Sequence, residues 1–278
     1  MLHLYNKISE SASRIITREY STSFSLGILF LGKGIRQPVY SIYGFVRLAD
    51  EIVDSFHGYD KHKLLNGFKK DTFQAIEEGI SINPVLQAFQ QAVHRYDIDL
   101  QLVHTFFRSM EMDLETRSHD ENSYREYVLG SAEVVGLMCL SVFVNGDRKA
   151  YEMLKPSAMK LGSAFQKVNF LRDLKADHSD LGRTYFPGVD PSHLNEIQKR
   201  KIEEEIEVEF QEAKEGIRLL PGCARRGVYL AYVYYYSLFK RICSLPAVRI
   251  KQERIRISNR RKFALMLQSL VKNQFNQL

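Results

Sequence analysis

Four aspartates in two pairs have the residue type and spacing that could bind a metal ion. Asp50 and Asp54 occur in RLADEIVD, and Asp173 and Asp177 occur in NFLRDLKAD. Residues four apart in a helix stand one above the other, with about 5–6 Å between Cβ atoms, so the like charges of each pair repel. Both pairs lie in otherwise apolar segments, where an unpaired charge is costly. A divalent cation would offset this repulsion.

Arginines stand next to both aspartate pairs. Arg47 precedes Asp50 by three residues, and Arg172 directly precedes Asp173. A guanidinium group offers forked donors that suit phosphate oxygens. Mg²⁺ favours oxygen ligands and commonly bridges one or two carboxylates to substrate phosphates. The combination predicts a reaction in which a diphosphate departs, with metal and arginine stabilising the charge that develops on it.

Two other interpretations of the aspartates stay open at this point. Aspartate pairs at this spacing are common on solvated helix faces, where they have no function. A ferritin-like di-iron bundle is the competing metal site, and it requires Glu-x-x-His on two helices. Asp54 and His57 supply one Asp-x-x-His, but His178 adjoins Asp177 and lies off its helical face. The di-iron site is therefore disfavoured.

The composition is that of a globular protein in a reducing compartment. Of the 278 residues, 45% are apolar and 26% charged, which excludes disorder and collagen-like repeats. Three cysteines without a CxxC motif indicate neither a disulfide framework nor a zinc knuckle. The longest apolar runs reach 11 residues, short of the roughly 18 of a membrane span, and the first residues show no signal-peptide core. We expect a cytoplasmic protein.

The net charge of +6 suggests an anionic partner, which could be nucleic acid, a phosphorylated small molecule or an acidic lipid. No nucleic-acid docking motif appears, so nucleic acid is not expected. The basic stretch RIKQERIRISNRRK, which begins at Arg249, suits either a solvated face or contact with an anionic membrane.

Apolar residues recur at spacings of three and four along almost the whole chain, which predicts helices. Because no repeat, linker or sustained heptad pattern interrupts them, we expect a single all-α domain over residues 1–278. Pro156 predicts a break or kink in the longest helix. The predicted helices are 35–56, 61–80, 84–96, 100–117, 124–144, 147–176, 194–219, 229–242 and 260–275.

Five segments resemble the squalene/phytoene synthase family, the head-to-head prenyl transferases, along nearly the whole chain. The two DxxxD motifs, with QxxNxxRD leading into the second and RxYFP after it, form a specific signature. The segments are STSFSLGI from Ser21, YSIYGFVRLADEIVD ending at Asp54, YVLGSAEVVGLM from Tyr127, GSAFQKVNFLRDLKADHSDLGRTYFP ending at Pro187, and ERIRISNRRK from Glu253.

The resemblance implies the all-α isoprenoid synthase fold, a helical bundle around a central apolar cavity with Mg²⁺ at its mouth and Mn²⁺ as the alternative ion. The implied metal ligands are Asp50, Asp54, Asn169, Asp173 and Asp177. The implied diphosphate-binding residues are Ser21, Ser23, Tyr43, Arg47, Gln166, Asn169, Arg172, Tyr235 (or a neighbour within YYY) and Arg254. The implied catalytic residues are Asp50, Asp54, Asp173, Asp177, Tyr43 and Arg47, and the implied pocket lining is Tyr127, Ala132, Val135, Gly136 and Gly162.

Some of these positions suit a structural role equally well. Ser21 and Ser23 could cap helices, and Tyr127 could pack in the core. The chain also departs from the family at Glu133, where many members have glycine, and at Ala176, where many carry an acidic residue. Neither departure changes a metal-ligand position, but both leave the shape of the cavity open.

The activity that the resemblance implies is phytoene synthesis from two geranylgeranyl diphosphates, the first committed step of carotenoid biosynthesis. One diphosphate would leave, the second substrate's double bond would attack the cation, and the resulting cyclopropylcarbinyl diphosphate would ionise, rearrange and lose a proton. The alternative is a C15 enzyme that makes squalene or dehydrosqualene from farnesyl diphosphate.

NADPH is not expected, because the chain lacks the C-terminal membrane anchor of the family's longer, reducing members. Because the product would be a very apolar hydrocarbon that must leave into lipid, we expect peripheral contact with the inner face of the membrane. A catalytically silent member of the fold is a further hypothesis, which the four intact aspartates disfavour.

Overall fold

The computed structural model describes residues 1–116, 118–179 and 183–257, without the side chains of 176–179. These ranges are helical and contain no strand, only an isolated bridge between Ser118 and Thr184. The predicted helix over 260–275 lies outside the described residues. The α-helices are α1 (Leu2–Tyr20), α2 (Thr22–Leu29), α3 (Lys33–Asp54), α4 (Lys61–Glu78), α5 (Pro84–Tyr96), α6 (Leu100–Glu115), α7 (Glu121–Val128), α8 (Val134–Phe143), α9 (Arg148–Ser179), α10 (Glu196–Leu219), α11 (Gly222–Cys243) and α12 (Ala247–Ile250).

Helix α5 shows how local signals set the bounds of a helix. The side chain of Asn83 accepts a hydrogen bond from the backbone N–H of Val85 at 3.0 Å, and Pro84 takes the first helical position. Asp97 ends the helix in the left-handed region, with φ of 49°. The predicted bounds of 84–96 are therefore confirmed.

The predicted helix over 124–144 is divided in the structure. A π-helical turn, Leu129–Glu133, joins α7 to α8. At Gly130, a Cβ atom would lie 2.6 Å from the Ser109 side chain and 2.7 Å from the Thr105 carbonyl, so glycine permits the close approach of α6. The stretch Glu121–Phe143 is long and apolar enough to cross a membrane, but 56% of its most apolar window is buried, which is typical of a core helix.

Of the break or kink predicted at Pro156, the break does not occur. Helix α9 runs without interruption from Arg148 to Ser179, although proline removes one backbone hydrogen bond. Beside the proline, Ser157 packs closely against Gly216 of α10, where a Cβ atom would lie only 2.2 Å from the Ser157 Cβ. Helix α9 therefore continues through Pro156 despite the low helix propensity of proline, because it packs against its neighbours.

The buried apolar residues form two clusters. One is built mainly from α2 to α6 together with α8, and includes the stacked rings of Phe45 and Phe89, 3.9 Å between centroids. The other is built from α7 to α12, and includes Phe170 stacked on Tyr185 at 4.0 Å. The helices that carry aspartate pairs, α3 and α9, belong to different clusters, so the pairs can meet only where the clusters adjoin.

Candidate active site

A cavity of about 450 Å³ lies where the two clusters adjoin, with walls from α2, α3, α8 to α11 and the π-helical turn. Along α3 the lining passes from Val39 to Asp50, and along α9 from Leu154 to Arg172. Polar groups thus gather toward the carboxyl ends of both helices, where helix dipoles favour cations. We call this end the mouth. Residues implied by the family resemblance that line the cavity are Ser21, Tyr43, Arg47, Asp50, Ala132, Val135, Gly136, Gly162, Gln166, Asn169, Arg172, Tyr235 and Arg254.

On the α3 side of the mouth, Arg47 is held by two neighbours. Its Nη2 lies 2.5 Å from Oε2 of Glu51, and its guanidinium lies over the Tyr20 ring, 4.3 Å from the centroid. Its Nη1 is 3.9 Å from the Asp50 carboxylate. The Nε atom is buried and has no hydrogen-bond partner among the described residues. Arg47 is therefore positioned with a donor to spare for an anionic ligand.

Asp50 faces the cavity, and its environment disfavours the charged form. Burial, and then the charge of Asp54, raise the pKa of Asp50 to about 7, while Arg47 opposes this. The i,i+4 spacing therefore produces the repulsion expected from the sequence.

Asp54 lies outside the cavity lining and is bound by an arginine from a distant segment. Nη1 of Arg183 lies 2.9 Å from Oδ1 of Asp54 and 3.3 Å from the buried Asp113 carboxylate. Nη2 of Arg183 donates to the Asp113 carbonyl at 3.1 Å. The Tyr127 hydroxyl donates to the other Asp113 oxygen at 3.0 Å. Burial raises the pKa of Asp113 to about 7, with Arg183 opposing.

Sequence reasoning missed Arg183 and Asp113 as residues that lie behind Asp54. Arg183 was visible as the first residue of RxYFP, but nothing in the sequence indicated its partner. Asp113 carries no signal, because nothing in the sequence distinguishes it from Glu111 and Glu115 at the end of the same helix.

On the α9 side, Asp173 also lies outside the cavity lining and is paired with two arginines. Nη2 of Arg172 lies 2.5 Å from Oδ2 of Asp173, and Nε of Arg254 lies 2.7 Å from Oδ1. The backbone N–H of Ile255 donates to the Arg172 carbonyl at 3.4 Å, which attaches the segment after α12 to the mouth. Two arginines, the neighbouring Arg172 and the distant Arg254, thus converge on one carboxylate.

Asn169 and Gln166 lie one and two turns before Asp173. Nδ2 of Asn169 donates to Oε1 of Gln166 at 3.3 Å, while Oδ1 of Asn169 is buried with no partner among the described residues. A buried acceptor without a donor is costly. The orphaned oxygen points to a cation or donor that belongs to the liganded state.

Two tyrosines complete the polar part of the wall. Burial raises the pKa of Tyr43 to about 12, with a hydrogen bond from Ser21 opposing. Burial also raises the pKa of Tyr235, which stacks on Phe165 at 4.0 Å. Both remain neutral phenols at physiological pH. Of the three consecutive tyrosines, Tyr235 is the one that lines the cavity, whereas Tyr236 donates to Glu207 of α10.

Some residues implied by the resemblance lie outside the cavity lining or also have a structural role. Ser21 lines the cavity and also caps α2, accepting from the Phe24 N–H at 3.2 Å. Ser23 is half-buried outside the lining. Tyr127 lies outside it too, buried against Phe170 and Tyr185. The side chain of Asp177 lies outside the described residues.

A divalent cation fits the mouth by charge and by ligand type. The Asp50 and Asp54 carboxylates repel each other, the Asn169 oxygen lacks a partner, and Asp173 binds only to cationic side chains among the described residues. All these ligands are oxygens, which Mg²⁺ prefers. No cluster of three His, Cys, Asp or Glu side chains is close enough to hold a metal in the part that the structure describes, which leaves out the Asp177 side chain.

Comparisons with known proteins find similar sequences and a similar overall fold. The squalene/phytoene synthase family model matches residues 17–261. The chain is 26% identical to phytoene synthase 1 of Zea mays over 85% of the chain, but spans only 62% of that relative's length. It is 27% identical to phytoene synthase of Arthrospira platensis, covering 82% of each. A crystal structure of a dehydrosqualene synthase with ligand superimposes with a TM-score of 0.83 over 97% of this chain and 98% of the other, at 21% identity.

Proposed function

The chain belongs to the squalene/phytoene synthase family, and we propose that it is a prenyltransferase that condenses two geranylgeranyl diphosphates head to head into phytoene. The reaction would pass through the cyclopropylcarbinyl diphosphate and open carotenoid biosynthesis. The observation that carries the proposal is the apolar cavity with Asp50, Arg47 and Arg172 in its lining at one end. Relatives named phytoene synthase support the C20 substrate.

The arginines would bind the diphosphate groups. Arg47 has a buried donor without a partner in the part of the chain that the structure describes, and Arg172 and Arg254 are bonded to Asp173. An arriving diphosphate would compete with Asp173 for those two guanidinium groups. Bidentate donors of this kind stabilise the charge that grows on the leaving diphosphate.

Asp50, Asp54, Asn169, Asp173 and Asp177 would hold Mg²⁺, with Mn²⁺ as a substitute. When bound, the cation would neutralise charge on the departing diphosphate. Arg183 would keep Asp54 in place from behind, through its 2.9 Å ion pair. Tyr43 and Tyr235 would donate hydrogen bonds as neutral phenols, because burial raises both pKa values.

The apolar wall would protect the carbocations from water. Ala132, Val135, Gly136 and Gly162 contribute small or branched apolar surface below the mouth. At Gly162 a Cβ atom would lie 2.8 Å from the Ala132 carbonyl, so glycine keeps α9 close to the π-helical turn.

The alternative substrate is the C15 farnesyl diphosphate, with squalene or dehydrosqualene as product. The similarity in shape to a dehydrosqualene synthase favours this alternative. The same aspartates and arginines would act in the same way, because they contact the diphosphate and not the tail. Tail length would be selected by the depth of the apolar part of the cavity.

The test is incubation of the purified protein with Mg²⁺ and either C20 or C15 diphosphate, followed by mass and ultraviolet spectra of the extracted hydrocarbon. A C40 triene from the C20 substrate is expected, whereas a C30 product would transfer the proposal to the alternative. Asp50→Asn and Asp173→Asn should each abolish turnover. Asp71→Asn, an exposed aspartate of α4, is the matched control and should retain it. Hydrocarbon formation by both site variants would refute the site.

A cytoplasmic location at the inner face of the membrane is part of this proposal. The product is a hydrocarbon that water does not dissolve, so its release requires an apolar acceptor. Fractionation of cells should recover the activity with membranes at low salt and release part of it at high salt.

A further inference from the structure

Helix α1 presents most of its large apolar residues to solvent and buries small polar ones, although Ile16 packs against the core. Ser9, Ser13 and Thr17 are completely buried. The side chains of Leu4, Ile8 and Ile15 are 58%, 53% and 59% exposed. This is the reverse of an ordinary surface helix, whose apolar stripe faces the core.

The inward orientation of the polar face is well secured. Ser13 fits against Gly44 of α3, where a Cβ atom would lie 3.0 Å from the serine Cβ. The Gln37 side chain donates to the Glu10 carbonyl at 2.9 Å, and the Tyr5 hydroxyl donates to the Ser81 carbonyl at 2.8 Å. These contacts leave α1 no freedom to turn its apolar residues inward.

The exposed residues form a stripe with basic residues along one edge. At about 100° per residue, Leu4, Ile8 and Ile15 fall within roughly 40° of each other around the helix axis. Lys7, Arg14 and Arg18 follow on one side, and all three are exposed. Within the described parts of the chain none of these three forms an ion pair.

The helix also leads to the mouth of the cavity. Its last residue, Tyr20, lines the cavity and carries the Arg47 guanidinium on its ring. Met1 and Leu2 at its other end are exposed as well. A surface in contact with the stripe would therefore lie next to the place where a ligand enters or leaves.

We propose that the outer face of α1 docks on the surface of an anionic bilayer. Leu4, Ile8 and Ile15 insert at the boundary between headgroups and acyl chains, and Lys7, Arg14 and Arg18 contact anionic headgroups. The docking depends only on α1, but its purpose rests on the proposed function, since it would give apolar chains a path between cavity and membrane.

Charge favours a bilayer over a second copy of the chain. Basic residues line the stripe, and Glu19 is the one exposed acidic residue of α1, so two copies would bring like charges together. The net charge of +6 adds to that repulsion and favours an anionic surface.

The experiment is flotation of the full chain with phosphatidylcholine vesicles, with and without phosphatidylglycerol, at low and high salt. Wild-type protein should float with anionic vesicles and be released partly by salt. The variant Leu4→Gln/Ile8→Gln/Ile15→Gln should bind at least roughly 10-fold more weakly, because apolar burial is lost while helix propensity is kept. The variant Lys7→Gln/Arg14→Gln/Arg18→Gln should lose roughly 5-fold per charge, and only on anionic vesicles.

A matched control distinguishes binding through the outer face of α1 from binding through any exposed apolar residue. Met153, Ile197 and Val208 are also exposed apolar residues, on α9 and α10, and their triple glutamine variant should float like wild type. Circular dichroism should show the same helix content in all proteins. Equal flotation of the α1 variants and wild type, or no flotation of wild type, would overturn the proposal.

Two further measurements show which hypothesis is wrong if the flotation result differs from the expected one. Loss of a dimer in the apolar variant, measured by sedimentation, would show that a second copy covers the face and would refute the bilayer. Hydrocarbon formation in detergent should be unchanged in the α1 variants. Failure of that activity in wild type would refute the proposed function and leave the docking result intact.

Discussion

The buried ion pair between α9 and α10 allows us to predict how much stability the protein loses when one partner is removed. Lys167 and Glu209 are each only 5% exposed, and Nζ of Lys167 lies 2.8 Å from Oε1 of Glu209. Glu205 is a second partner, and the Ser163 hydroxyl donates to Glu209 at 2.9 Å. Lys167→Met keeps the length and helix propensity of the side chain but leaves the Glu209 charge buried without a cation.

Removal of one partner from a buried pair costs about 3–5 kcal/mol. At about 2–4 °C per kcal/mol, Lys167→Met should lower Tm by roughly 6–20 °C near pH 8. Burial already raises the pKa of Glu209, with Lys167 opposing, so the variant raises it further. Because the folded pKa then lies above the unfolded one, the loss grows as pH rises and shrinks as Glu209 takes up a proton, so it should be smaller at pH 5 than near pH 8.

Urea unfolding at the two pH values measures the effect. Lys167→Met/Glu209→Gln should regain most of the loss, because Gln still accepts the Ser163 hydrogen bond and carries no charge. Lys70→Met, an exposed lysine of α4, is the control and should change stability by less than about 0.5 kcal/mol. A loss under about 1 kcal/mol near pH 8, or a loss equal at both pH values, would refute the reasoning.

Three further predictions concern other residues of the helices and of the segment before α10. Arg183→Gln removes the cation that faces the buried Asp113 carboxylate, so urea unfolding should show a loss of about 3–5 kcal/mol; an unchanged midpoint would contradict it. Burial raises the pKa of Glu133 to about 7, so its charged form costs stability as pH rises above about 4.5. Glu133→Gln should therefore raise Tm near pH 8 but hardly near pH 5, and an equal gain at both would argue against a buried charge. Gly67→Ala, with nothing within 4 Å of the new Cβ, should stabilise by about 0.5–1 kcal/mol. Gly216→Ala, with Ser157 at 2.2 Å, should destabilise by about 1–3 kcal/mol, and thermal melts that rank the two the other way would be incompatible with this packing.

Helix positions were the part of the fold best predicted from sequence. The bounds of α5 follow from Asn83, Pro84 and Asp97, all adjacent to the helix they delimit. The break predicted at Pro156 does not occur, and beside the proline Ser157 packs closely against Gly216 of α10. Helix α1 was not assigned from the sequence, although Leu4, Ile8 and Ile15 recur at helical spacing.

Some features of the candidate site were also predictable from the sequence, and others were not. Asp50 and Asp54 repel as their spacing predicts. Tyr235, which the family resemblance implies as a diphosphate-binding residue, lines the cavity. The arginine bound to Asp54 comes from 129 residues further along the chain, so no local pattern could identify it. The site residues assigned to substrate and metal stay predictions until turnover is measured.

The sequence by itself determined the helical class, the two aspartate pairs and the arginines beside them, because periodicity and i,i+4 spacing are local properties of a chain. Only the tertiary structure decided that Arg183 and Asp113 stand behind Asp54, and that about 450 Å³ remains open between the clusters. It also decided that α1 turns Leu4, Ile8 and Ile15 to solvent. These features arise from packing between segments far apart in sequence, which follows from the shape and volume of side chains rather than from their order.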